Sequence, residues 1–233
     1  MSIEYVLKSK GCVRKQYEGR NHDSALAEER GGVLVMAVAD GVGPIWQAEY
    51  AARAVIGALE DADPWNNGIL EAAKQASQAI TDSDEGFAST LTALRIQDHT
   101  LTVAQCGDSA AYLLRQGIPP VQLTEEHTFY ADNRNVLDRA IDFYAGPEVI
   151  DTFRTPSPIP LESKGSDRYL LLQESDLIII CTDGAIQPLI ANIDCLQQNP
   201  NGADLSTFID RIITGGIQRD DTSIGIARLK PAQ

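Results

Sequence analysis

Apolar and polar positions fall into blocks along this chain, and the period changes from block to block. Ile3 to Leu7 and Val33 to Ala39 read as strands, the second so continuously apolar that it calls for burial on both faces or within a sandwich core. After a turn at Asp40-Gly41-Val42-Gly43-Pro44, Ala48, Ala51, Ala52, Val55 and Leu59 recur at helical spacing, and Ile69, Leu70, Ala73, Ala76 and Ile80 do so again. The pattern predicts two amphipathic helices joined around Asp63-Pro64, packed together and covering a sheet. A dense β region follows: Ser89 to Ile96, a turn at Asp98-His99, Leu101 to Cys106, Ala110 to Leu114, then Val121 to Leu123 after Gly117-Ile118-Pro119-Pro120. Consecutive strands with tight turns pair antiparallel. Asn135 to Ile141 is expected as a short helix, and Thr155-Pro156-Ser157-Pro158-Ile159-Pro160 as an extended connector. A strand pair at Tyr169 to Leu172 and Asp176 to Cys181, a helix marked by Leu205, Phe208, Ile209 and Ile212, and a final strand from Ser223 to Leu229 complete the pattern. Blocks of strands alternating with a helix pair, without βαβ rhythm, favour an α+β layered sandwich over a Rossmann fold.

Length and composition narrow this further. At 233 residues with 43% hydrophobic content, the chain (residues 1–233) is expected to form a single domain with a sizeable core. A net charge of −14 argues against nucleic acid as a partner, since phosphate-backbone binding is driven by Lys and Arg. Cys12, Cys106, Cys181 and Cys195 show no CxxC spacing and are read as reduced thiols of a cytoplasmic protein. Met1 to Lys10 lacks a signal-peptide hydrophobic region, and no apolar run approaches the roughly 20 residues of a membrane span, so a soluble protein without membrane association is expected.

Candidate chemistry sits at the ends of the strands. Val33 to Ala39 runs into Asp40-Gly41, Leu177 to Thr182 runs into Asp183-Gly184, and Asp220-Asp221 leads into Thr222 to Leu229. A carboxylate at a strand end projects from a sheet rim, and the following glycine lets the backbone turn or approach a ligand closely. Any one Asp-Gly is an ordinary turn dipeptide. Three acidic strand ends from distant parts of the chain are a candidate site for a hard cation, because carboxylate and carbonyl oxygens suit magnesium or manganese. Three histidines in all make a His-rich zinc site improbable, and Trp46 and Trp65 are expected to be packing residues.

The order of motifs carries a resemblance. Arg20-Asn21-His22-Asp23, Asp40-Gly41-Val42-Gly43, Ala88-Ser89-Thr90, Gly107-Asp108-Ser109, Leu123-Thr124-Glu125-Glu126-His127, Cys181-Thr182-Asp183-Gly184, and Gly215-Gly216 before Asp220-Asp221-Thr222-Ser223 follow one another as in the type 2C (PPM) metal-dependent serine/threonine protein phosphatases of bacterial type. The resemblance covers nearly the whole chain. It implies a central sandwich of two antiparallel β-sheets flanked by pairs of helices (α-β-β-α layers), with a binuclear Mg2+ or Mn2+ site at one edge. Position by position, Asp40 resembles the carboxylate bridging both metals and Gly41 supplies a carbonyl ligand, while Asp183 and Asp220 match further ligands of the first metal. Asp108, with Asp183, resembles a weaker third-metal site, so that two or three ions are implied. Asp23 matches an acidic residue near the second metal that acts through water. His127 matches a position of structural character.

The implied reaction is hydrolysis of phosphoserine or phosphothreonine on a protein substrate, opposing a Ser/Thr kinase in signalling. Water held between two cations has its pKa lowered toward about 7 and attacks phosphorus directly. No cysteine here is followed six positions later by arginine, as a thiol phosphatase would need. Two departures stand out. Pro44-Ile45-Trp46 occupies a stretch where a histidine leaving-group acid is expected, leaving His22 or solvent to substitute. Gln16-Tyr17-Glu18-Gly19 separates Arg14 from Arg20, and of these two candidates for the phosphate-binding arginine Arg20 is preferred. The departures motivate an alternative: a catalytically weak phosphatase-like fold serving as a binding or regulatory module. A phosphohydrolase with an aspartyl nucleophile fits poorly, because that chemistry usually uses Asp-x-Asp and Asp40 is followed by Gly41-Val42.

Overall fold

A computed structural model describes residues 2–12, 20–43, 45–82, 88–131, 134–137, 139–142, 147–154, 157, 159–164, 167–214 and 220–230. Arg14, Pro44 and the Gly215-Gly216 pair lie outside them, as does part of the 155–160 connector. Two antiparallel sheets dominate. The first runs β1 (Ser2–Lys10), β15 (Thr222–Lys230), β14 (Leu177–Cys181), β7 (Ala110–Leu114), β8 (Val121–Gln122). The second is built on β3 (Val33–Val42), which pairs along one side with β2 (Asp23–Arg30). Along its other side it pairs with β5 (Leu91–Gln97), followed by β6 (Thr100–Cys106), β13 (Asp167–Leu171) and β12 (Glu162–Lys164). The last residues of β3 pair with β4 (Ala88–Ser89), which in turn pairs with β11 (Ile141–Asp142). A separate ladder joins β9 (Thr128–Ala131) to β10 (Arg134–Leu137).

The alternation of side chains along a strand explains why β3 is apolar throughout. Leu34, Met36 and Val38 enter a layer shared with Ile178 and Ile180 of β14, Leu113 of β7 and Leu229 of β15, so this layer is the core between the sheets. Val33, Val35, Ala37 and Ala39 face the other way, onto α1 (Ile45–Asp61) and α3 (Ile69–Thr81), which are linked by the short α2 (Pro64–Asn67). Leu177, Ile179 and Cys181 of β14 likewise turn outward onto α4 (Asp183–Ile190), α5 (Ile193–Gln198) and α6 (Leu205–Thr214). The result is the α-β-β-α sandwich expected from the motif order. Among the described residues no helix is long and apolar enough to cross a membrane.

Several local expectations are corrected. The helix expected over Asn135 to Ile141 is instead β10 and β11, whose backbone groups are satisfied by ladders to β9 and β4. The segments Tyr169 to Leu172 and Asp176 to Cys181 do not pair with each other: β13 joins β6 while β14 joins β7 and β15. The chain crosses between layers at Ser175, which has φ 69°. Leu170 and Leu172 then meet Ile178 and Ile180 across the core instead of edge to edge. The single strand expected from Ser89 to Ile96 breaks at Thr90 into β4 and β5, each meeting a different part of β3. Trp65 is a packing residue, 3% exposed, with its indole N–H donating to the Glu28 carbonyl and the Arg30 guanidinium 3.5 Å from the ring centroid. Trp46 is not; it stands 64% exposed on the first turn of α1.

The shared layer sets the main stability prediction. Leu113→Ala, which empties a fully buried position, should cost about 2–5 kcal/mol in urea denaturation. Leu171→Ala, at a side chain 46% exposed, should cost under about 1 kcal/mol.

Candidate active site at one rim of the sandwich

Where the strands outrun the apolar layer, their inward-facing positions continue as polar residues. On β3 the series Leu34, Met36, Val38 leads by twos to Asp40, and on β2 Ala27 and Ala25 lead to Asp23. Asp23 lies directly across from Asp40 in the antiparallel register. On β14, Ile178 and Ile180 lead to Thr182, whose hydroxyl donates to Asp23 Oδ2 at 2.8 Å and accepts the Ser223 N–H at 2.9 Å. This bond ties one sheet to the other at the rim. Asp183 follows as the first residue of α4, and Asp220-Asp221 precede β15, which runs antiparallel to β14. Asp108 occupies the connection from β6 to β7, whose first residue Ala110 pairs with Cys181. Five sequence-selected aspartates, Asp23, Asp40, Asp108, Asp183 and Asp220, thus reach the same end of the sandwich.

Backbone contacts fix these positions. The Asp40 N–H donates to Thr90 Oγ1 at 2.9 Å, and the Asp40 carbonyl accepts from Thr90 N–H at 2.8 Å and from the Ser89 hydroxyl at 3.0 Å. Gly41 is required by close approach: a Cβ there would lie 1.8 Å from the Ala48 carbonyl oxygen, so α1 packs straight onto the Asp40-Gly41 backbone. Gly184 plays the same part for α4, where a Cβ would lie 2.0 Å from the Asp221 carbonyl. The Asp108 loop is clamped by His127, which accepts the Gly107 N–H at Nδ1 (3.1 Å) and sets Nε2 3.1 Å from Asp151. Gln105 Nε2 donates to the Gly107 and Ser109 carbonyls at 3.0 and 3.2 Å.

Electrostatics show how closely the carboxylates are coupled. Burial, then the charges of Asp23, Asp183, Asp220 and Asp108, push the Asp40 carboxyl well above the usual range. Burial followed by Asp108 and Asp220 raises Asp183 to about 6, and a hydrogen bond with Asp40 partly offsets the rise. Asp23 is pushed up to about 7 by burial and by Asp221 and Asp183, against hydrogen bonds from Thr182 and Ser223. Asp108 is raised by burial, with Glu126 and Asp220 adding to it. Among the described residues no three His, Cys, Asp or Glu groups form a ready-made ligand cage. The donors are nonetheless all oxygens, and Asp23 Oδ1 is buried with no hydrogen-bond partner. That combination suits a hard divalent cation.

Arg20 stands at the same rim, three residues before Asp23, with Nε 3.8 Å from Glu49 Oε2 on α1. His22 lies beneath the rim, 4% exposed, its Nδ1 3.8 Å from Asp221. Burial pushes the Cys181 thiol up, which removes it as a nucleophile. Asp221 is the residue whose part was missed. It is 1% exposed and accepts N–H bonds from Cys12 at 2.7 Å and His22 at 2.9 Å, anchoring the end of β1 and the approach to β2 under the aspartates. The acidic doublet was the signal; only the fold shows that its second member turns inward.

A four-layer sandwich with an acidic rim of this kind defines a class of protein able to gather divalent cations at a sheet edge. The family model for protein phosphatase 2C matches residues 18–133. The serine/threonine protein phosphatase PstP of Mycobacterium tuberculosis is 30% identical over 245 residues, an alignment covering 92% of this chain and 43% of PstP. The crystal structure of M. tuberculosis PstP/Ppp superposes with a TM-score of 0.74 at 23% identity, covering 98% of this chain and 99% of that one. The structure of the S. agalactiae serine/threonine phosphatase gives 0.77 at 19% identity, covering 98% and 100%. A PstP catalytic-domain structure in complex with two manganese ions gives 0.74 at 22%, covering 98% and 99%. The chain thus carries a protein phosphatase 2C family domain, matched over residues 18–133, and it spans less than half the length of the curated relative it matches.

The raised carboxyls set a pH prediction for protein in chelator. Asp23 and Asp183 hold their protons more tightly folded than unfolded, so their contribution to stability is full below the ordinary value of 3.8. It is lost as pH rises through about 6 for Asp183 and about 7 for Asp23. The melting temperature should therefore fall between about pH 4 and about pH 7, and Asp23→Asn should flatten the fall. Manganese at about pH 8 should restore stability, because a cation binds the ionised form. A melting temperature that climbs over this range would contradict the assignment.

Proposed function

We propose that this chain is a metal-dependent phosphatase acting on phosphoserine and phosphothreonine in proteins, with residues 1–233 working as one catalytic domain. The observation that carries the reading is the coupling of Asp40 and Asp183 to each other and to Asp108 and Asp220 at one rim, from four separate parts of the chain. Asp40, the Gly41 carbonyl, Asp183 and Asp220 would hold two Mg2+ or Mn2+ ions, Asp23 would act on the second through water, and Asp108 with Asp183 would hold a third. Bound there, the cations supply the positive charge that admits a phosphomonoester dianion and lower the pKa of water for attack on phosphorus.

The chain's own residues supply the positioning. Thr182 and Ser223 fix the Asp23 carboxyl, Asp221 holds the backbone beneath it, and Thr90 pins Asp40. Arg20 binds the phosphoryl oxygens from the rim, the role for which a guanidinium fork is suited. With His22 buried against Asp221, the leaving alkoxide takes its proton from solvent. The partner is a phosphorylated protein, and the physiological setting is cytoplasmic signalling opposed to a Ser/Thr kinase.

Turnover of p-nitrophenyl phosphate and of a phosphothreonine peptide should appear with manganese or magnesium and vanish with chelator. Asp40→Asn and Asp183→Asn should each lower kcat/KM by at least about 100-fold, the upper end of what even an outer-shell partner costs, with circular dichroism unchanged. Folded, manganese-loaded protein that turns over neither substrate would sink the reading and favour the regulatory module. Arg20→Ala should lower kcat/KM by about tenfold to 100-fold; an unchanged value would remove Arg20 from the phosphate site.

A further inference from the structure

Three of the five large apolar side chains that stand exposed among the described residues lie within nine positions of one another, just past Asp40-Gly41. They are Val42 at 37%, Trp46 at 64% and Tyr50 at 51% exposure. Trp46 and Tyr50 are one helical turn apart on α1, on the same stripe as Glu49 and Arg53, while Ala48, Ala51, Ala52 and Val55 bury the opposite face. A tryptophan is a large apolar surface that folded chains normally cover, and a cluster of such residues marks a contact surface.

The stripe is continuous with the rim. α1 packs on Gly41 through the Ala48 carbonyl, so its first turn borders the Asp40 site. Glu49 joins both sides: its Oε2 lies 3.8 Å from Arg20 Nε and its Oε1 2.8 Å from Arg53 Nη2. The aromatic pair is therefore flanked by two guanidinium groups in a chain of net charge −14. An occupant that brings an anionic group toward Arg20 and an apolar side chain toward Trp46 fits this arrangement. A phosphopeptide does both.

We infer that Trp46, Tyr50 and Val42 form a docking subsite for a bulky apolar side chain next to the phosphorylated residue, making the enzyme selective for phosphosites with apolar neighbours. The inference rests on the phosphatase reading above. Tryptophan and tyrosine suit the task, because they offer rigid contact area at little entropic cost and tolerate both water and apolar partners.

Two phosphothreonine peptides, identical except for leucine or alanine on both sides of the phosphothreonine, test it with the manganese-loaded full chain. Wild type should favour the leucine peptide by about tenfold in kcat/KM, mostly through KM. In Trp46→Ala the ratio should fall to about one, and Trp46→Phe should keep most of it. Equal rates on both peptides in wild type, or a preference that survives in Trp46→Ala, would overturn the subsite while leaving the phosphatase reading intact. A preference that survives while Trp46→Ala turns a dimer into a monomer in sedimentation would assign the patch to self-association. Absence of p-nitrophenyl phosphate turnover in wild type would instead remove the phosphatase reading, and this subsite with it.

Discussion

The apolar layer between the two sheets governs where the chemistry can sit. Because side chains alternate strictly along a strand, seating Met36 and Val38 between the sheets forces Asp40 to face inward at the strand's end. The same holds for Ala27, Ala25 and Asp23, and for Ile178, Ile180 and Thr182. A one-residue slip in register would bury a polar face and turn these groups away from one another. Gly225 shows how tightly the layer is packed there: a Cβ at that position would lie 2.3 Å from Met36 Cε and 2.7 Å from Leu7 Cδ1. The rim is thus the polar end of the core.

Bringing carboxylates to such a rim costs stability. Burial and mutual repulsion raise Asp40, Asp23, Asp108 and Asp183 together, so each charge must be held against its neighbours by the packing behind it. The supporting bonds are arranged accordingly. Thr182 and Ser223 meet Asp23, Thr90 and Ser89 meet the Asp40 backbone, and His127 with Gln105 fixes the loop that carries Asp108. None of these groups needs to touch a substrate to matter, since they set how far the acidic side chains can relax away from one another.

Much of this was legible in the chain before any coordinates. The unbroken apolar run into Asp40 called for burial on both faces or within a sandwich core, and β3 is such a strand. The alanine-rich helical spacing located α1 and α3 to within a few residues. Less was legible where local preference and tertiary pairing disagree. Asp23–Arg30 is rich in helix formers, yet it pairs along its full length with β3. α4 contains Gly184 and Pro188, both of which read as breakers, yet it forms because Gly184 allows its first turn to settle on Asp221.

The sequence by itself determined the layers and the order of acidic strand ends, because period and motif spacing are written locally. Tertiary structure alone decided which strands pair and which of Asp220 and Asp221 lies buried. It also decided that Trp65 packs against Glu28 and Arg30 while Trp46 faces solvent beside the rim. Those outcomes depend on which segments the apolar layer brings face to face, and contacts between residues more than a hundred positions apart, such as Thr182 with Asp23, leave no mark on the local pattern of either.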